Sequence, residues 1–219
     1  MLVNRDLNPL LASLPEKFAS IHNHQIDAVV DVLEGFQAGR LVVLEAPTGT
    51  GKTLVAEIVR RMLDTRAVYV CHNKELQDQF SRDYPYSKVL YGRANYLPNR
   101  ADVLATCEDC VWTPKRPCNL CTSHKECPYQ VAKREAVTCP IPVVNSAYWL
   151  NETQSDRSRL ANTGLVVMDE ADTLDGVLMN QVEVFISERA QKRYGINPPR
   201  YMTKGYVDWA EMATGRRTI

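Results

Sequence analysis

Two stretches of this chain have residue types and spacing suited to phosphate chemistry. The first is Glu45-Ala46-Pro47-Thr48-Gly49-Thr50-Gly51-Lys52-Thr53. It follows the apolar run Leu41-Val42-Val43-Leu44 and precedes Leu54-Val55-Ala56-Glu57-Ile58-Val59. Strand, glycine-bearing loop and helix, in that order, are what a phosphate-binding loop requires. The backbone N–H groups of residues 46–53 and the following helix N-terminus would face a phosphate. Lys52 would reach the β- and γ-phosphates, and the Thr53 hydroxyl would ligate Mg²⁺. Ala46 stands where the usual G-x-x-x-x-G-K-[ST] pattern has its first glycine. The second stretch is Gly164-Leu165-Val166-Val167-Met168-Asp169-Glu170-Ala171-Asp172. A buried strand here ends in two acids at the carboxyl edge of a sheet, where α/β folds bind ligands. Asp169 would hold Mg²⁺, and Glu170 would orient and deprotonate an attacking water. Alone this is equally an acidic turn; beside Lys52 and Thr53 it points to nucleotide hydrolysis.

A third set of residues suits metal. Five of the seven cysteines, Cys107, Cys110, Cys118, Cys121 and Cys127, crowd one segment. No secretory signal opens the chain, and such a cluster then favours metal over disulfides. Cys107-x-x-Cys110 and Cys118-x-x-Cys121 make two C-x-x-C pairs, as in a zinc ribbon, with Cys127 left over. An iron–sulfur cluster also takes four thiolates, with less stereotyped spacing. Spacing does not separate the two metals. Cys71 and Cys139 stand apart in apolar surroundings and read as buried thiols. His124 reads as an exposed loop histidine.

The elements that must position these residues follow from periodicity. Residues 1–20 carry scattered apolar positions broken by Pro9 and Pro15, which suits irregular structure and a short helix. Ile26, Val29, Val30, Leu33 and Phe36 repeat at helical spacing, with Gly35 and Gly39 as stops and Gln25 at the start. Ala67-Val68-Tyr69-Val70-Cys71 is a buried-strand pattern, and residues 72–80 open a helix. Strand, helix, strand implies right-handed parallel crossovers and an α/β sheet. From Tyr84 to about Lys133, prolines, cysteines and turn residues dominate. That segment has no apolar face to form a core of its own and needs a staple. Regular structure resumes at Ile141–Asn145 and Ala147–Leu150. Beyond Asp172 the pattern predicts a helix over 174–180, a short strand through Val182, Val184 and Ile186, a basic helix over 187–194 and a last helix near 207–212.

The chain's 219 residues carry 26 basic and 26 acidic side chains, so global charge announces no nucleic-acid partner. No apolar run approaches the roughly 18 residues of a membrane span. A soluble cytosolic protein without membrane association is expected.

These residues together resemble the iron–sulfur superfamily 2 DNA helicases of the XPD/DinG group, especially phage and bacterial DinG-like members. The resemblance rests on Ala46 to Thr53, Leu76-Gln77-Asp78-Gln79-Phe80, Tyr91-Gly92-Arg93-Ala94-Asn95-Tyr96, Cys127-Pro128-Tyr129 with Lys133-Arg134, and Val144-Asn145-Ser146-Ala147-Tyr148. Asp169-Glu170-Ala171-Asp172 matches the D-E-A-H box with Asp in the last place. The resemblance implies a RecA-like P-loop domain with a parallel sheet over 1–90 and 136–186. A Cys-rich [4Fe–4S] domain would interrupt it at 91–135, and an arch-like insertion would start at 187–219. It implies ATP, Mg²⁺ and single-stranded or forked DNA as ligands, and a bacterial or phage-infected cytoplasm and DNA repair as setting. Gln25 would read the adenine edge, as a glutamine ahead of the phosphate loop does in many helicases. Asp172 would couple hydrolysis to movement. Cys118, Cys121 and Cys127 transfer most securely as cluster ligands. Pro98 stands where the family's first ligand falls, so a later cysteine must serve, with Cys110 preferred and Cys107 the alternative. Arg93, Tyr96, Arg100, Lys115, Arg116, Lys125, Lys133 and Arg134, with Trp112, would offer charge and stacking to a single strand. The family closes ATP between two RecA-like domains, and no second one is visible here. Weak hydrolysis and no unwinding are therefore expected of this chain alone. A zinc-ribbon P-loop ATPase and a non-catalytic DNA-binding module are the alternatives.

Overall fold

The computed structural model describes residues 13–18, 20–100, 104–110, 118–153, 158, 160, 163–182, 193 and 195. Its centre is a parallel sheet of β1 (Ala67–Cys71), β2 (Lys88–Val89), β3 (Pro142–Asn145) and β4 (Leu165–Met168), in the order β2-β3-β1-β4. Tyr69 sits between Val143 of β3 and Val167 of β4, and Val70 between Val144 and Met168. Every residue of β1 is buried, which is what a central strand covered on both faces requires.

Alternation along β1 divides the core. Ala67, Tyr69 and Cys71 face one way; α1 (Asn23–Ala38), α2 (Lys52–Met62) and α3 (Lys74–Asp83) supply Val29, Leu33, Ile58, Val59, Phe80 and Tyr84 to that side. Val68 and Val70 face the other way. There they join Ala136 of α4 (Pro128–Thr138), Trp149 of α5 (Ser146–Thr153) and the cysteines Cys107, Cys121 and Cys127. The cysteine segment thus shares a core with the sheet. That resolves its lack of an apolar face: it uses the one the sheet provides.

The local reasons are mostly those the sequence implies. Asn73 caps α3, its side chain accepting from the Leu76 N–H at 3.0 Å. Pro128 opens α4, a position where its missing N–H costs nothing. Three expectations change. Gly35 does not stop the first helix, which runs to Ala38. It is there for contact, because a Cβ at Gly35 would lie 2.9 Å from a Val42 methyl. Residues 84–133 are less irregular than their composition suggests, holding β2 and the first half of α4. Leu41–Leu44 forms no strand. Val42 touches α1 and Leu44 packs against the core around α2, while Leu41 and Val43 are 84% and 81% exposed. A strand apolar on both faces needs cover on both, and this run has it on one.

A second unit, residues 175–219, takes up α6 (Leu174–Val182) almost from its start. Val182 ends that helix rather than opening a strand, and Leu178 and Met179 are exposed on it. The strand, basic helix and last helix expected further on lie outside the described residues, apart from Arg193 and Gly195. Among the described residues no helix is long and apolar enough to cross a membrane.

Candidate functional site

The phosphate loop is held from both ends. Gly49 and Gly51 both adopt φ +83°, a backbone that side chains disfavour. At Gly51 space is short as well: a Cβ would meet Gln25 Nε2 at 2.3 Å. Gln25, buried at the start of α1, donates to the Thr50 carbonyl at 2.9 Å and accepts from the His22 N–H at 3.0 Å. The glutamine expected at an adenine edge therefore clasps the loop, with both ends of its amide engaged. Lys52 folds back, donating to the carbonyls of Ala46 at 2.8 Å and Pro47 at 3.3 Å. Thr50 donates its hydroxyl to Pro47 at 2.8 Å. To reach a phosphate, Lys52 must leave these carbonyls.

Asp169 and Glu170 follow β4 at the sheet's carboxyl edge. The Asp169 N–H bonds to the Val70 carbonyl at 2.9 Å, which extends the β1–β4 pairing as far as the acid. Glu170 takes φ +53°, turning the chain sharply so that its carboxylate is exposed. Thr173 secures this turn, donating to the Glu170 carbonyl at 2.8 Å and meeting His72 Nδ1 at 3.0 Å. Asp172 is exposed on the same turn.

Tyr69 joins the two motifs, and the sequence reading missed it. Its hydroxyl donates to Asp169 Oδ2 at 2.9 Å and lies 3.3 Å from Thr53 Oγ1. Burial, and then the charge of Asp169, push the phenol far above its usual range and keep it a donor. The same two influences, with Glu170, raise the Cys71 thiol to about 12, so it stays a neutral buried group. Strand alternation contained the signal: position 69 faces the side of β1 on which the phosphate-loop helix packs. Hydroxyl and carboxylate oxygens brought together in this way are a donor set that suits Mg²⁺.

The cysteines form a second site. The sulfurs of Cys107, Cys121 and Cys127 lie within 4.8 Å of one another, all buried. Cys110 donates to Cys118 at 3.1 Å, and both are half-buried. Burial and the neighbouring Cys127 raise the Cys107 thiol to about 11. Burial raises Cys121 to about 12, with Cys127 and Cys118 adding to it. Burial also opposes ionisation of Cys118, but the bond from Cys110 and the N–H groups of Leu120 and Cys121 outweigh it and lower its pKa. Crowded thiols resist ionising together unless a cation neutralises them, which is the chemistry of a metal-binding thiolate set. Cys139 is remote from this group, donating to the Ala136 carbonyl, and Cys71 lies in β1. His124 is half-buried rather than exposed.

Cations expected to meet DNA have structural work here. Arg93 donates to the carbonyls of Cys107 at 3.0 Å and Cys110 at 2.7 Å, with its guanidinium 5.9 Å from the Tyr129 ring centre. Arg134 donates to the Lys125 carbonyl, Arg100 to that of Asn119, and Lys133 pairs with Glu152 at 2.9 Å. Tyr96 accepts from the Tyr91 N–H and packs edge-on to Tyr129. Lys125 is exposed, while Trp112, Lys115 and Arg116 lie outside the described residues.

Parallel sheet, phosphate loop and acid pair at the carboxyl edge define a P-loop nucleotide-binding domain. A family model described as DEAD/DEAH box helicase matches residues 22–196, and the chain belongs to that family. It is thus a helicase-type domain that uses ATP and Mg²⁺ and acts on nucleic acid. Neither a curated protein nor a solved structure is significantly similar to the chain.

Proposed function

We propose that this chain is the ATP-binding motor portion of a DNA helicase of the iron–sulfur XPD/DinG type. The observation that carries the subgroup is the cysteine site. Five thiols lie between the phosphate loop and the Asp-Glu box, three of them in one buried triad packed on the motor sheet. Thr53 and Asp169 would hold Mg²⁺. Lys52 would exchange the Ala46 and Pro47 carbonyls for phosphate oxygens, and Glu170 would position the attacking water. A second motor domain closing over the nucleotide would supply an arginine finger, an effect worth roughly three to five orders of magnitude in related NTPases.

Cys118, Cys121 and Cys127 would each give a thiolate to a [4Fe–4S] cluster. For the remaining position, Cys107 competes with the Cys110 preferred on sequence. Its place in the buried triad supports Cys107; Cys110 would then stand beside Cys118 as a fifth thiol. When bound, the cluster would brace this segment as a rigid guide beside a single strand of DNA. Zinc is the second reading, kept alive by the two C-x-x-C pairs.

The test is ATP turnover by the purified chain with and without a single-stranded oligonucleotide. A feeble rate that the oligonucleotide raises, and that Lys52→Ala and Glu170→Gln both abolish, is expected. Turnover that survives both substitutions, or robust unwinding by the chain alone, contradicts the reading.

A further inference from the structure

We propose that Tyr69 is a positioning residue for the magnesium site, holding the Asp169 carboxylate in register with the Thr53 hydroxyl. The inference rests on the reading of Thr53 and Asp169 as magnesium ligands. They come from different motifs, well apart in sequence: Thr53 is in the first turn of α2 and Asp169 in the turn after β4. Tyr69 is on the central strand, the most completely buried element of the sheet. Its ring packs against Phe80 with centroids 4.1 Å apart, and Phe80 in turn packs against Tyr84. A phenol held in this way has two remaining degrees of freedom, the ring flip and the O–H rotor, and neither moves the oxygen.

The hydroxyl has one proton to give. Asp169 Oδ2, at 2.9 Å, is the nearer acceptor, and Thr53 Oγ1, at 3.3 Å, is a second acceptor within reach of the same hydroxyl. One hydroxyl therefore lies against both groups and sets the direction of the carboxylate. The other carboxylate oxygen of Asp169 accepts from the Glu170 N–H at 3.1 Å, so the carboxylate is held at both ends. Outer partners that orient a metal-ligating carboxylate in this manner raise metal affinity without touching the metal. Tyr69 would do so here, and without it the cation would have to order Asp169 itself.

Binding of a fluorescent ADP analogue across a magnesium titration tests this. ADP avoids turnover, and the readout is the magnesium concentration giving half of the metal-dependent rise in affinity. Tyr69→Phe keeps the ring and removes only the hydroxyl. It should raise that concentration roughly tenfold, in line with other outer-shell losses, and leave affinity for the magnesium-free nucleotide unchanged. Phe80→Leu keeps the hydroxyl and loosens the packing. It should lower the melting temperature and raise the magnesium midpoint by less than Tyr69→Phe does, because the hydroxyl remains. An unchanged midpoint in Tyr69→Phe overturns the proposal, as does a lower one, which would make the phenol a competitor for the cation's place. Asp169→Asn separates the two levels of inference. If it abolishes the magnesium dependence and Tyr69→Phe does not alter it, the ligand reading stands and the role of Tyr69 falls. If Asp169→Asn changes nothing, both fall. Should Tyr69→Phe fail to fold, Tyr69→Leu, which lacks any donor and is no larger than the buried space allows, replaces it under the same criteria.

Discussion

The phosphate loop and the cysteine segment are built on opposite principles. The loop closes on itself: Lys52 and Thr50 bond to its own carbonyls, and Thr48 and Gly49 are exposed. The Lys52 bonds must break for that side chain to reach a phosphate. The cysteine segment is tied together by its own side chains and shares a core with the sheet. Arg93 and Arg134 donate to its carbonyls, Asn99 exchanges two hydrogen bonds with Thr122, and the triad lies in the core that Val68, Val70 and Val144 form. A substrate site must release and rebind its ligand, so weak local bonds suit it. A site for a resident metal gains from being fixed in advance. The contrast argues that the second site serves structure and the first serves turnover.

Several substitutions would break or sharpen that contrast. The largest effect is expected at Glu170. Glu170→Gln should lower nucleic-acid-stimulated ATP turnover by about a hundredfold or more, the usual contribution of a positioned general base, with nucleotide affinity retained in a binding titration. Cys127→Ser should release the metal and also lower the melting temperature of the whole first unit, because the triad shares its core with the sheet. Melting of the cysteine segment alone, with the sheet unaffected, would show the two sites to be independent.

A middle-sized effect belongs to neither site. Glu57 is buried on α2, and Arg60 at 2.7 Å, Arg61 at 2.5 Å and Tyr86 at 2.8 Å all donate to it. Burial alone would raise its pKa, but the two arginines outweigh burial and hold it below its usual 4.5. A carboxylate with a lowered folded-state pKa stabilises above the unfolded value, and that stability is lost as pH falls through the folded one. Glu57→Gln should cost about 3 kcal/mol at neutral pH by breaking a buried ion pair. Denaturant titrations should also show a shallower loss of stability below pH 4.5 in the variant than in the parent. The smallest effect is expected at the cap of α3, where Asn73→Ala should cost about 1 kcal/mol in the same titration.

Both motifs suited to phosphate chemistry were legible because their chemistry is local. Gly49, Gly51, Lys52 and Thr53 sit in one loop and the helix start that follows it, and Asp169 and Glu170 at one strand end. What the sequence concealed depends on contacts across the fold. Gly35 looks like a helix stop until Val42 is seen against it. The two carbonyls that Arg93 holds could not be read from its place in the sequence. The span of the Gln25 amide from His22 to Thr50 is a contact of the same kind. Spacing alone left Cys107 and Cys110 as alternatives, because which sulfur reaches Cys121 and Cys127 is a matter of the turn at Cys107–Asp109. Leu41–Leu44 has the composition of a buried strand, but pairing and cover on both faces are tertiary properties that composition does not contain.

The central claim is that the cysteine site holds an iron–sulfur cluster braced against a nucleotide-dependent motor. Iron, zinc and acid-labile sulfide, quantified in the chain purified without oxygen, test it most directly. The account predicts about four irons and four sulfides per chain, with visible absorbance near 400 nm, all lost in Cys127→Ser and retained in Cys110→Ser. One zinc per chain and no sulfide would contradict it.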